Sequence, residues 1–123
     1  MSAHTVMVVD DSLLTSQKIT QMLQQLGYDV VKVCRNGADA VFQYPLIMPD
    51  LVTMDITMPD MDGIEATKRI LHLDTHAKII MVTSHGQEQM VLDALDAGAK
   101  GYVLKPFRPD KLEGTIRSVL IRT

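Results

Sequence analysis

Thr5-Val6-Met7-Val8-Val9-Asp10-Asp11-Ser12 runs five strand-forming residues straight into two carboxylates and a hydroxyl. A short apolar, β-branched run bounded by polar residues reads as a buried strand. Ser12 reads as the N-cap of a following helix, in which Ile19, Met22, Leu23 and Leu26 fall at i, i+3, i+4 and i+7 and Gly27 marks a C-terminal stop. The same unit recurs outward from this stretch. Strands are expected near residues 5–9, 29–34, 50–54, 78–82 and 101–104, with helical segments between them and a last one carrying Leu112, Ile116, Val119 and Leu120. Asn36-Gly37 reads as a turn and Gly98 as a left-handed cap before the fifth strand. Parallel strands joined by short crossover helices need right-handed connections and helices on both faces. The expected fold is therefore α/β, a doubly wound five-stranded parallel sheet with five helices.

Composition narrows the function classes. A chain of 123 residues has the size of a single domain. Hydrophobic residues make up 46% and charged ones 22%, and nine Met against three Tyr, two Phe and no Trp predict an aliphatic, thioether-rich core. A net charge of -3, with basic residues scattered, argues against nucleic acid as a partner. Cys34 is the lone cysteine, and no signal-peptide pattern or membrane-length apolar run is present, so a cytoplasmic setting is expected.

Four short pieces each follow a strand: Asp10-Asp11, Asp55, Thr83-Ser84 and Lys105-Pro106. Strand C-termini of an open parallel sheet share one edge, where ligands bind. Taken singly, each piece has a plain structural explanation. Acidic residues cap helices, Asp55 fits a strand end leading into the Met58-Pro59-Asp60-Met61-Asp62-Gly63 turn, Thr83 and Ser84 suit helix caps, and most lysines are solvated. Two adjacent carboxylates at the end of a buried strand nevertheless repel each other without a cation, so the pair points to a metal. Together, three carboxylates, a hydroxyl and an ammonium make a phosphoryl-transfer site.

These residues also carry a resemblance across essentially the whole chain. Val-Asp-Asp-Ser at 9–12, Met-Asp-Ile-Thr-Met-Pro-Asp-Met-Asp-Gly at 54–63, Val-Thr-Ser at 82–84, Ala-Gly-Ala-Lys-Gly-Tyr at 97–102 and Lys-Pro-Phe at 105–107 resemble a response-regulator receiver domain, the phosphoacceptor of two-component signalling. The resemblance implies a flavodoxin-like sheet of order 2-1-3-4-5, for which a chemotaxis receiver is a known example. It implies that Asp55 accepts a phosphoryl group from a sensor histidine kinase or a phosphotransfer protein. Mg2+ would be held by Asp11, Asp55 and the Thr57 backbone carbonyl, with Asp10 acting mainly through water. Lys105 and Thr83 would bind phosphoryl oxygens, Lys105-Pro106 would be a cis peptide that aims the ammonium, and Thr83 and Tyr102 would move together as the switch.

By the same resemblance the output face comprises the fourth helix, fifth strand and fifth helix, here Gln87 to Ala97, Gly101 to Leu104 and Pro109 to Ile121. Met90 and Leu92 do not share the Val91, Ala94 and Leu95 face, which leaves two readings: one or both are exposed to a partner, or they form a second buried edge. Thr57 and His85 flank the approach of water to the phosphoryl group and are candidates for setting its lifetime. The alternative for His85 is an inert neighbour of a helix cap. His4, His72 and His76 read as surface residues.

A flavin-binding relative of this fold would need a hydroxyl- and glycine-rich loop where Asp10-Asp11-Ser12 stands. A small-molecule phosphatase would need a cap insertion to enclose its substrate. The remaining alternative is a degenerate receiver acting as a phosphorylation-independent interaction module. The expectation is a stand-alone, monomeric receiver spanning residues 1–123 without an output domain. It would be no enzyme beyond its own phosphorylation and dephosphorylation, would bind no membrane, and would act in chemotaxis or as a phosphorelay intermediate.

Overall fold

A computed structural model of the chain describes residues 3–121. Five strands alternate with five helices: β1 Thr5–Val9, α1 Leu13–Gln25, β2 Asp29–Cys34, α2 Gly37–Ile47, β3 Leu51–Met54, α3 Gly63–Leu73, β4 Ile79–Thr83, α4 Glu88–Asp96, β5 Gly101–Leu104 and α5 Pro109–Leu120. The sheet is parallel throughout in the order β2-β1-β3-β4-β5. The third strand begins one residue later than expected, and the fourth is shifted by one, so that Thr83 closes β4.

The apolar runs explain the layering. Because strand side chains alternate, Val6 and Val8 of β1 face one side and Met7 and Val9 the other. The first pair packs with Ile19 and Leu23 of α1 and with Leu112, Ile116 and Val119 of α5. The second packs with Ala40 and Tyr44 of α2, Ala66 and Ile70 of α3, and Ala94 of α4. Residues of β3 and β4 are buried on both faces, which is why these strands read as apolar runs interrupted only by Thr53 and closed by Thr83. Each large aliphatic side chain so buried contributes about 1.5–3 kcal/mol.

Local signals set the helix ends. Ser12 caps α1 by accepting from the Thr15 N–H, and Asp62 caps α3 by accepting from the Glu65 N–H. Gly27 and Gly98 take left-handed φ values of +93° and +109°. Asn36-Gly37 is not a free turn. Asn36 is the N-cap of α2, its side chain accepting from the Asp39 N–H at 2.7 Å, and Gly37 is the first helical residue. Helix α4 also differs from expectation. Met90 and Ala94 turn onto the core, while Leu92 and Leu95 are exposed. The helix meets the sheet over the small Ala94 side chain, and Leu95, about 100° further round, is left outside.

Candidate functional site

The residues of interest lie just past the strand ends, yet the sheet still holds their backbones. Asp10 N–H donates to the Cys34 carbonyl at 3.0 Å, Asp55 N–H to the Val9 carbonyl at 2.9 Å, and Lys105 N–H to the Thr83 carbonyl at 2.8 Å. Each of these positions therefore inherits the register of its neighbouring strand. The shared edge brings Asp10, Asp11 and Asp55 together, with one carboxylate oxygen from each within 4.8 Å of the others.

Local hydrogen bonds orient the carboxylates. Asp10 is 1% exposed, and its Oδ1 accepts from the Ser12 N–H at 2.9 Å. Asp55 is 8% exposed, and its Oδ1 accepts from the Ile56 N–H at 2.8 Å. Asp11 is open to solvent. Lys105, which follows β5 and precedes Pro106 through a cis peptide, places Nζ 2.8 Å from Asp10 Oδ2 and 3.5 Å from Asp55 Oδ2.

Burial is the main influence on Asp55 and pushes its carboxyl above the usual carboxylate range. The negative charges of Asp10 and Asp11 push the same way, against the Lys105 ammonium and the Ile56 N–H. A divalent cation would relieve this repulsion. The donor set is all oxygen, and an ion bonding at about 2.1 Å holds its ligand oxygens about 3–4 Å apart, which the carboxylate spacing accommodates. The residues therefore fit Mg2+, with few protein ligands and room for water.

Thr83 is fully buried at the end of β4, and no hydrogen bond joins it to the carboxylates among the described residues. Its Oγ1 instead accepts from the His85 N–H at 3.3 Å. The neighbouring Ser84 is exposed. Tyr102 is partly buried against the α2–α4 side of the core, and its hydroxyl donates to the His85 carbonyl. Thr57 Oγ1 and His85 Nε2 share a hydrogen bond, so the loops after β3 and β4 are joined beside Asp55. His4, His72 and His76 are exposed, as expected.

Three features were not read from the sequence. Gly63 lies so close to the acceptor loop that a Cβ there would stand 2.0 Å from the Asp55 carbonyl oxygen, and its N–H donates to the Ile56 carbonyl at 2.7 Å. The Asp-Gly pair at 62–63 was the available signal, but it reads equally well as an ordinary turn. The preference of Lys105 for Asp10 and the Thr57–His85 bridge carry no linear signature, since each joins residues far apart in the chain.

Residues 6–117 match the sequence profile of the response regulator receiver domain. The "Chemotaxis protein CheY" of Bacillus subtilis is 47% identical over 118 residues, covering 96% of this chain and 98% of its own length. That of Thermotoga maritima is 41% identical over 114 residues, covering 93% and 95%. Among solved structures, a chain of the CheX-CheY-BeF3-Mg+2 complex from Borrelia burgdorferi superimposes with a TM-score of 0.95 at 36% identity. The match covers 98% of this chain and 92% of that one.

Proposed function

This chain belongs to the response regulator receiver domain family of two-component signalling, and from that premise we propose that Asp55 is its phosphoacceptor. The observation that carries the reading is the convergence of Asp10, Asp11, Asp55 and Lys105 on one sheet edge. In the transfer, an Asp55 carboxylate oxygen forms the new O–P bond as the P–N bond of a phosphohistidine breaks, and the imidazole leaves with the electron pair. No general base is needed, because the nucleophile is already an anion.

Asp11, Asp55 and the Thr57 carbonyl would hold Mg2+, with Asp10 acting through water. Bound there, the ion neutralises the acidic cluster and the charge on the transferring phosphoryl group. The Borrelia complex, which contains BeF3 and Mg2+, supports this assignment. Lys105 and the Thr83 hydroxyl would bind the remaining phosphoryl oxygens, and Thr57 and His85 would govern the approach of water. All of these residues are present, which gives a phosphorylation-independent module no support.

We further propose a monomeric regulator, without catalysis beyond its own phosphoryl chemistry, that receives its signal from a histidine kinase or phosphotransfer protein. Its output surface is α4, β5 and α5, where Leu92, Leu95 and Leu104 are 46%, 45% and 47% exposed. Similarity to chemotaxis proteins favours chemotaxis over a relay intermediate. Among the described residues no helix is long and apolar enough to cross a membrane.

The test is intact-mass analysis after incubation with acetyl phosphate and Mg2+, for the unaltered chain and for Asp55→Asn. A Mg2+-dependent phosphoryl adduct that Asp55→Asn abolishes is expected. A folded, Mg2+-binding protein that gains no adduct would overturn the assignment.

A further inference from the structure

His85 takes part in three hydrogen bonds, each to a different element of the proposed site. Its ring Nε2 meets Thr57 Oγ1 on the acceptor loop, its N–H meets Thr83 Oγ1 at the end of β4, and its carbonyl receives the Tyr102 hydroxyl from β5. Thr57 and Tyr102 share no direct hydrogen bond among those of the described residues, and His85 is hydrogen-bonded to both. The His85 N–H also occupies a lone pair of the Thr83 oxygen, leaving the hydroxyl proton free to point elsewhere.

We propose that Thr57 is a positioning residue for the Tyr102 latch. Its hydrogen bond to the His85 ring holds the β4–α4 loop where the His85 carbonyl can accept from Tyr102, before any phosphoryl group arrives. The inference rests on Asp55 as acceptor for its functional meaning, but the contact itself requires neither phosphate nor metal. A tether of this kind biases a two-state element toward the latched side. Phosphorylation then completes a shift already under way, by its differential interaction with the two positions. One neutral hydrogen bond of about 1 kcal/mol corresponds to about a fivefold change in the ratio of latched to released Tyr102.

The test uses the full chain without Mg2+ or phosphodonor, its tyrosine rings 13C-labelled and the Tyr102 resonance assigned from Tyr102→Phe. Thr57→Val removes the hydroxyl while keeping the side-chain shape, and His85→Ala removes the ring. Both should move the Tyr102 resonance in the same direction, by the equivalent of a fivefold loss of latched population. The double variant should move it no further, because the two changes break one contact. Thr57→Ser and His85→Gln retain a hydrogen-bonding group and should return the resonance toward that of the unaltered chain.

An unmoved resonance in Thr57→Val, or shifts that simply add in the double variant, would overturn the proposal. Thr57 is exposed, so Thr57→Val is expected to fold. Acetyl phosphate labelling of the unaltered chain reports separately on Asp55. A labelled protein with an unmoved Tyr102 refutes the tether alone, and an unlabelled one with the expected shifts refutes the acceptor assignment alone.

Discussion

The Lys105 ammonium hydrogen-bonds Asp10 at 2.8 Å and forms a longer ion pair with Asp55 at 3.5 Å. The cation that would stabilise a phosphoryl group is thus held, in the unphosphorylated chain, by a carboxylate of the candidate metal site. At an effective dielectric constant near 20, opposite charges this close interact by several kcal/mol, and Lys105 competes with any added cation.

Removing that competitor separates two roles. Lys105→Met should tighten Mg2+ binding by about tenfold, or ~1.4 kcal/mol, while slowing acetyl phosphate labelling by at least about tenfold. Calorimetric titration and timed intact-mass analysis read the two effects. Unchanged Mg2+ affinity would show that the ammonium does not compete.

Asp55 makes stability depend on pH in a definite direction. Burial raises its carboxyl above the ordinary range, so between the ordinary and the raised value the folded state holds a proton that the unfolded chain has already lost, and above the raised value both are ionised. The metal-free protein therefore loses stability as pH rises from the ordinary carboxylate range through the raised value. Asp55→Asn removes that cost and should raise Tm by a few degrees at pH 7, the gain shrinking as pH falls below the ordinary range. For the unaltered chain, Mg2+ at 100 times its Kd should add about 2.7 kcal/mol. A Tm for Asp55→Asn equal to or below that of the unaltered chain at pH 7 without metal would contradict this account.

No hydrogen bond joins Thr83 to the carboxylates among the described residues, so its loss should spare the metal site. Thr83→Ala is expected to leave Mg2+ affinity within about twofold and to abolish the rise in partner affinity on phosphorylation. Full retention of that rise would separate Thr83 from signalling.

Gly63 faces backbone, which cannot move aside as a flexible side chain can. Gly63→Ala forces its new Cβ against the Asp55 carbonyl oxygen and should cost about 2 kcal/mol or more in urea unfolding, with slower labelling. A cost below about 0.5 kcal/mol would mean that the two loops separate freely.

Towards the C-terminal end of α2, Tyr44 is 2% exposed and donates its hydroxyl to Asp74 Oδ2 at 2.7 Å, tying α2 to the end of α3. This bond, more than that from the His76 N–H, holds the Asp74 carboxyl below its usual value. The stability it contributes is present above the ordinary carboxylate pKa and is lost as pH falls through the lowered one. Tyr44→Phe should cost about 1 kcal/mol at pH 7 and less in acid, where denaturation of the two proteins would converge. A cost independent of pH would point to packing instead.

Much of this molecule was legible in the linear chain. The central strands are sandwiched between helices, so they appear as apolar runs, and each candidate site residue sits beside a strand end because parallel strands finish on one edge. The motifs at 9–12, 54–63, 82–84, 97–102 and 105–107 carried the family resemblance, and with it the sheet order.

Other features depended on relative placement. Asn36-Gly37 signalled a break, but the Asn36 side chain's hydrogen bond to Asp39 made it a helix cap. The apolar residues of α4 carried no statement of which face met the sheet until Ala94 set the contact. Apolar periodicity, cap residues and short motifs act over a few neighbouring positions, and the sequence alone therefore determined the elements, their order and the candidate members of the site. Only the tertiary structure decided that Lys105 bonds Asp10, that Gly63 abuts Asp55 and that Thr57 reaches His85. These contacts join residues brought together by packing, at distances where a shift of an ångström makes or breaks a hydrogen bond.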